Sequence, residues 1–257
     1  MKFVIKECVA WGGGLSSQQD WQAFSKGEIQ LSSTQELPLL SEIPAMQRRR
    51  LSPFAKVTLH CALTASKEAK GSIASVFASR HGDLVKTTKL IQNVCEKEPL
   101  SPTNFGLSVH NGIGGLFSLF TKNKAPLTAI TAGEDTFFTG LLDALCKLAS
   151  NNYKQIMFVY SESVAPEIYQ PYIVQDNISI ACALILEQSE IEACALKENS
   201  ANNFTLNMNS HSASTKTEHE NKQLQVLDFL KFYHQNTSST QISSKRHIWH
   251  LTKGIAL

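Results

Sequence analysis

The stretch PLTAITAGEDTFF, residues 126–138, indicates the fold of this chain. It runs through six residues rich in small and β-branched side chains to an Ala-Gly turn, meets an acidic pair, and continues into apolar residues at helical spacing. The spaced residues are Phe138, Leu141, Leu142, Leu145 and Leu148. This pattern predicts a buried strand, a tight elbow and a core helix.

An elbow of this kind often carries a catalytic nucleophile. The free N–H groups and partial positive charge of a helix N-terminus favour a thiolate or an oxyanion there. No Cys or Ser stands at this elbow, and Glu134 and Asp135 follow the turn instead. Acidic residues in a first helical turn commonly cap N–H groups or complement the helix dipole, which contributes roughly 0.5–2 kcal/mol. The local sequence alone therefore favours structural carboxylates.

The composition is that of an ordinary globular protein. Of 257 residues, 42% are hydrophobic and 18% are charged, and the net charge is +2. A charge this small gives no reason to expect nucleic acid or an anionic membrane as partner. The chain has no signal-peptide pattern and no run of roughly 20 apolar residues, so we expect a cytoplasmic protein without a membrane span. Six scattered cysteines without a CxxC pair predict reduced core thiols.

Predicted strands and helices alternate along the first 187 residues. The strands are residues 3–11, 72–78, 127–132, 155–160 and 179–186, and helices are predicted near 19–24, from 53, and at 84–96, 112–120 and 138–148. Residues 99–111 are predicted to be extended. Nearly continuous apolar strands between helices are typical of an α/β sheet covered on both faces.

After residue 187 the alternation of predicted strands and helices is less regular. The sequence predicts a strand at 204–208, a mobile polar loop at 211–222, a helix at 224–234 and a closing strand at 248–251. We therefore expect residues 1–187 to form the main unit. Residues 188–257 are expected to form a divergent extension that packs on the same domain.

Common catalytic motifs are absent from the sequence. It has no G-x-S-x-G elbow, phosphate-binding loop or H-E-x-x-H pair, and the Gly12–Gly14 run lacks the dinucleotide-binding spacing. The spacing of His234, His247 and His250 fits no strong metal pattern. The run Arg48–Arg50 is typical of a solvent-exposed segment that leads into a helix. The alternative is that it forms a surface for an anionic carrier protein.

Four segments in this order resemble the N-terminal half of β-ketoacyl synthases, which have the thiolase fold. They are VFASRHG at 76–82, SPTNF at 101–105 leading to SVHN at 108–111, LTAITA at 127–132, and residues 156–162 followed by the antiparallel strand 180–186. The resemblance covers about residues 3–187. It is strongest to the short ketosynthase-like proteins of aryl polyene pathways, which act as chain-length-factor partners of a complete ketosynthase. It implies an α/β, thiolase-like half fold with a five-stranded mixed sheet covered by helices on both faces.

Two departures from the family pattern limit what the resemblance implies. The position of the nucleophilic Cys is occupied by Glu134, or by Gly133 if the register shifts by one residue. The second half of the fold, which supplies the two catalytic histidines, has no counterpart after residue 187. We therefore expect no catalytic residue, no metal and no cofactor of its own, with 4′-phosphopantetheine arriving on the carrier protein. We do not expect this chain to catalyse condensation on its own.

The resemblance implies a heterodimer with a complete β-ketoacyl synthase, visited transiently by an acyl carrier protein. In the family, the strand before the elbow pairs with its counterpart across the two-fold axis and the acyl tunnel passes nearby. The tunnel and interface candidates are Asn104, Phe105, Asn111, Thr131, Glu134, Phe137 and Phe138. The phenylalanines could instead be plain core. Glu134 could fill the vacated nucleophile pocket or, alternatively, assist malonyl decarboxylation.

Two other functions compete with this interpretation. A free-standing acyltransferase or thioesterase would use another nucleophile, such as Ser161 at the end of a predicted strand. A homodimeric module would bind acyl chains or a carrier protein without a ketosynthase partner. An apolar edge strand at 127–132 fits either kind of dimer, because a bare edge of this kind is an aggregation hazard.

Overall fold

The computed structural model describes residues 1–32, 36–67, 69, 71–150, 153–173, 176–189, 202–210 and 223–254. Within these ranges the helices are α1 Gln18–Ser25, α2 Ala45–Arg48, α3 Pro53–Ser66, α4 Leu84–Cys95, α5 Pro102–Ser108, α6 Gly112–Thr121, α7 Thr136–Ala149 and α8 Gln225–His234. The strands are β1 Lys2–Gly12, β2 Ala74–Ala78, β3 Leu127–Ile130, β4 Gln155–Glu162, β5 Ile180–Gln188, β6 Asn203–Ser210, β7 Ser239–Ser243 and β8 His247–Lys253. Short 3₁₀ turns span Gly133–Asp135 and Glu167–Tyr172. The predicted α/β class is confirmed.

The strands form one mixed sheet in the order β3-β2-β4-β5-β1-β6-β8-β7. The β3, β2 and β4 strands are parallel to one another, and the remaining neighbours are antiparallel. The expected five strands are present, but the sheet has eight strands within the described residues. The sheet continues beyond β1, because β6 pairs with the side of β1 that faces away from β5. β8 then pairs with β6, and β7 pairs with β8.

Helices cover both faces of the sheet. On one face, α3 and α6 pack on the side chains of β2, β4 and β5 around Phe77 and Met157. On the other face, α1, α7 and α8 pack around Phe137 and Trp249. In the described ranges no helix combines the length and apolarity needed to cross a membrane.

Most predicted elements are confirmed, one is wrong, and some short elements were not predicted. Residues predicted to be extended contain α5, which begins because the Ser101 hydroxyl accepts a hydrogen bond from Asn104 N and Pro102 occupies the first helical turn. β7 was not predicted, because its residues are mostly polar. The predicted loop at 211–222 lies outside the described residues.

The cysteines within the described ranges are free thiols. Cys61 and Cys182 are buried, as expected for core residues, and Cys8 is partly buried. Cys95 and Cys146 are exposed, because they lie on the outer sides of α4 and α7, so their predicted core placement is wrong. Cys194 lies outside the described residues.

Gly140 lets α7 lie close against the sheet. A Cβ atom at this position would lie 2.7 Å from Phe158 Cε2 and 2.8 Å from Ala78 Cβ. We expect Gly140→Ala to lower the free energy of unfolding by about 1–3 kcal/mol, because the added methyl overpacks a closed contact. Urea unfolding monitored by circular dichroism measures the change.

Gly115 on α6 is the matched control. It is also a helical glycine, but an added Cβ would meet nothing within 4 Å. Gly115→Ala should stabilise the protein by about 0.5–1 kcal/mol through helix propensity. Equal effects of the two substitutions would show that α7 does not pack as described.

Candidate functional site

The elbow after β3 is closed by a short hydrogen-bonded turn. The Thr136 hydroxyl donates to Gly133 O at 2.7 Å and accepts from Ala132 N at 2.9 Å. Gly133 has φ of +62°, a backbone conformation that glycine adopts without a steric penalty. The Ala-Gly pair of the sequence therefore makes the turn that was predicted.

Asp135 is the central polar group of the elbow. Its side chain is 3% exposed, and the carboxylate accepts hydrogen bonds from the C-terminal part of the chain. Trp249 Nε1 donates to Oδ1 at 2.8 Å, Gln225 Nε2 donates to the same oxygen at 3.0 Å, and His247 Nδ1 donates to Oδ2 at 2.9 Å. The first residue of α8 and two residues of β8 thus converge on one carboxylate.

These contacts keep Asp135 ionised. Burial alone would raise the pKa of its carboxyl group, yet the pKa is lowered. The cause is that four side chains donate hydrogen bonds to the carboxylate, namely Ser244, Trp249, His247 and Gln225. The elbow therefore carries a buried negative charge that is fully engaged by this chain itself.

Aromatic packing covers the start of α7 in the same region. Phe138 stacks on Trp249 with ring centroids 5.3 Å apart, and Phe137 packs on Phe229 of α8 at 5.1 Å. Both phenylalanines are fully buried. The structure thus places these two tunnel candidates in the core beneath the C-terminal segment.

Glu134 points in a different direction from Asp135. Its carboxylate lies 3.2 Å from Lys245 Nζ, and both side chains are partly exposed. Elbow N–H groups have other acceptors, since Ala132 N donates to Thr136 and Phe138 N to Gln225 Oε1. Glu134 therefore forms a surface ion pair with the turn between β7 and β8.

The remaining candidates lie on the surface. Asn104 and Phe105 are exposed on α5, Asn111 is exposed just before α6, and Thr131 is exposed after β3. The structure does not bring these residues together with Phe137 and Phe138, which are buried on the opposite face of the sheet. Asn104, Phe105, Asn111 and Thr131 instead lie towards the edge of the sheet formed by β3.

The structure gives little support to Ser161 as a nucleophile or to the C-terminal histidines as metal ligands. Ser161 is 4% exposed within β4, so its hydroxyl is closed to substrates. Within the described ranges, no three His, Cys, Asp or Glu side chains lie close enough to hold a metal ion. His247 is engaged by Asp135, and burial is the main reason that the pKa of His234 falls to about 4.

The Asp135 cluster was missed in the sequence because its members are far apart. Gln225, His247 and Trp249 follow Asp135 by at least 90 residues. One signal was available, since Trp249 and Leu251 alternate along the predicted strand 248–251 and His247, just before it, continues the same alternation. The partner of that face could not be read from spacing.

The comparisons with known proteins agree on the fold. Residues 21–251 match the model of the β-ketoacyl synthase N-terminal domain. A structure of the ketosynthase ApeO in complex with its chain length factor ApeC from Xenorhabdus doucetiae matches with a TM-score of 0.83 and 27% identity, covering 98% of this chain and 100% of that chain. No curated protein matches this sequence significantly.

Two more distant structures show the fold alone. One is AntDE:AntF, a type II polyketide synthase acyl-carrier protein in complex with its ketosynthase, with a TM-score of 0.67, 13% identity and 99% coverage of both chains. The other is the ishigamide ketosynthase/chain length factor, with a TM-score of 0.56 and 15% identity, covering 74% of this chain and 63% of that chain.

Proposed function

This chain belongs to the β-ketoacyl synthase family, because residues 21–251 match the N-terminal domain of that family. From this membership we propose that the chain is a chain-length-factor subunit. It pairs with a complete β-ketoacyl synthase and shapes the acyl tunnel during aryl polyene elongation, a polyketide or fatty-acid-like process. A carrier protein delivers the acyl chain transiently. Its fold is the thiolase-like α/β fold of that family.

The observation that carries this proposal is the elbow. Condensation requires a nucleophile that holds the acyl group and donors that stabilise the developing oxyanion. Here the elbow offers Gly133, Glu134 and Asp135, and the Asp135 carboxylate is already saturated by His247 and Trp249. An elbow closed in this way supports a non-catalytic subunit.

The open edge of β3 supports a partner. Ser75 N donates to Pro126 O, and Ser79 N donates to Ile130 O. Because successive residues of a strand alternate, the N–H and C=O of Ala129 point away from β2. No strand in the described ranges pairs with this side of β3. Strand addition from a second subunit would satisfy these groups.

Exposed aliphatic and aromatic side chains lie on α6, which packs on β3, and on the helices next to α6. α6 packs on β3, and α5 packs on both α6 and α4. Along these helices and their connections a set of large apolar side chains remains exposed, and we call it the apolar surface: Val85, Ile91, Val94, Leu100, Phe105, Val109 and Leu119. Such a concentration of exposed apolar residues is typical of an interface.

Co-expression tests the proposal. The chain would be produced with and without a complete β-ketoacyl synthase from the same organism, and each sample would be analysed by size-exclusion chromatography with mass determination. We expect a one-to-one complex, and poor solubility of the chain alone. A homodimeric β-ketoacyl synthase of fatty-acid synthesis serves as the control partner and should not bind. A stable lone homodimer that ignores the ketosynthase would overturn the heterodimer in favour of a binding module.

Phe105 provides a test of chain-length control. Its side chain is 59% exposed on α5, within the apolar surface. We expect Phe105→Ala in the complex to lengthen the polyene product, because the partner tunnel would lose bulk at its wall. Mass spectrometry of the released acyl chains measures the distribution. Leu119 is 67% exposed in the same surface and serves as the control, since Leu119→Ala should leave chain length unchanged.

A further inference from the structure

A buried carboxylate at the end of β4 has no role in the proposal so far. Glu162 is 6% exposed and accepts hydrogen bonds from the backbone N–H groups of Arg80 and His81. The hydroxyl of Tyr160 also donates to it. Glu162 thus anchors the loop that follows β2 on the interior side of that loop.

That loop, Ser79–Gly82, is closed by its own hydrogen bond. Gly82 N donates to the Ser79 hydroxyl at 2.8 Å, and Gly82 has φ of +63°. The space beside Gly82 is occupied, since a Cβ there would lie 3.3 Å from Nδ1 of His110. A small loop with these constraints has little freedom to move independently of Glu162.

The loop Ser79–Gly82 is also hydrogen-bonded to the end of β3 and to the residue that follows it. Ser79 N donates to Ile130 O at 3.2 Å, and the Thr131 hydroxyl donates to Arg80 O at 3.1 Å. His110 Nε2 lies 3.2 Å from the same Ile130 carbonyl. Glu162, the loop and the end of β3 therefore form one continuous hydrogen-bonded chain from the interior to the open edge.

Glu162 titrates in the neutral range. Burial raises its pKa to about 7, against the opposing effects of the two N–H groups, the Arg80 charge and Tyr160. The titratable and charged groups around it are Arg80, His81, Tyr160 and, beyond the loop, His110. The pKa of His81 is lowered by burial and by the charges of Arg80 and His110.

We propose that Glu162 is the positioning residue for the loop Ser79–Gly82 and for the end of β3, and that it takes up a proton when the partner subunit binds. This inference rests on the proposed function. A partner seated on β3 would cover the loop and remove solvent from its surroundings. Further desolvation disfavours the charged carboxylate, so association and protonation of Glu162 reinforce each other.

The direction of the pH dependence of binding follows from the linkage between proton uptake and association. If association makes the proton affinity of Glu162 tenfold higher, the dissociation constant of the complex rises about sevenfold between pH 6 and pH 8.5. We would measure the dissociation constant of the complex across this range by analytical ultracentrifugation. Glu162→Gln should bind like the wild type at pH 6 and lose most of the pH dependence. Glu167→Gln, an exposed glutamate in the following connection, should keep the wild-type profile.

Calorimetry of the wild-type proteins gives a readout that does not depend on how the variant folds. Titrations at pH 7 in buffers of different ionisation enthalpy should show uptake of a fraction of a proton per complex. Absent proton uptake, or a Glu162→Gln variant with the wild-type pH slope, would overturn the inference while leaving the heterodimer intact. Failure to form a complex at any pH would instead overturn the proposed function on which the inference rests.

Discussion

Asp135→Ala is expected to lower the free energy of unfolding by about 3–5 kcal/mol at pH 7. The substitution removes a buried acceptor and leaves the Trp249, Gln225 and His247 donors without their partner. Leaving buried polar groups unpaired is more costly than the net gain of the hydrogen bonds they made. Urea unfolding monitored by far-UV circular dichroism measures the loss, and tryptophan fluorescence should report disturbance near Trp249.

Glu134→Ala is the matched control, one residue away on the same turn. Its ion pair with Lys245 is partly exposed, with 58% of the lysine side chain accessible. Exposed ion pairs contribute little, so we expect a loss below about 1 kcal/mol. Similar losses in both variants would contradict the central role of Asp135.

Acid should remove the Asp135 contribution. The pKa is lowered in the folded protein, so the stabilisation is present above the unfolded value of 3.8 and is lost as pH falls through the folded pKa. The stability gap between wild type and Asp135→Asn should therefore narrow in that acidic range.

Ala129→Pro is expected to weaken the complex with the ketosynthase by about 100-fold or more. The Ala129 N–H points to the open edge, so proline removes a donor and places its ring against the incoming strand. A loss of that size corresponds to about 2.7 kcal/mol of binding free energy. Size-exclusion chromatography of the co-expressed proteins, followed by a titration, measures it.

Two substitutions separate pairing from folding. Ala129→Ser keeps the N–H and should retain the complex. Thr128→Pro removes a group that points towards β2, so it should destabilise the subunit itself. Unchanged association of Ala129→Pro would show that the partner does not add a strand to β3.

The fold was largely predictable because most elements have strong local signals. β5 is a nearly continuous apolar run, and α3 begins at the Ser-Pro pair that marked its start in the sequence. The apolar spacing after the elbow also gave α7. In each of these segments, local preference and burial favour the same structure.

The elements that were missed had signals of another kind. The cap that starts α5 lies in a Pro-containing stretch whose residues are all at least partly exposed, so no apolar period marks the helix. β7 is held by pairing with β8 rather than by a hydrophobic pattern of its own. Tertiary pairing decides the structure of such segments.

The candidate site was only partly predictable. The sequence placed the elbow correctly between β3 and α7. It could not distinguish the two adjacent carboxylates, Glu134 at the surface and Asp135 in the interior. That distinction depends on Gln225, His247 and Trp249, whose positions are set by long-range pairing of the sheet.

The central position of β1 has a consequence for protein synthesis. Its two neighbours, β5 and β6, lie at residues 180–188 and 203–210, far downstream in the chain. At a translation rate of about 5–20 residues per second, roughly 10–40 s separate the emergence of β1 from that of its partners on the ribosome. During that interval the first strand lacks both of its neighbours, so we expect chaperone supply and elongation speed to affect the yield of this subunit in recombinant expression.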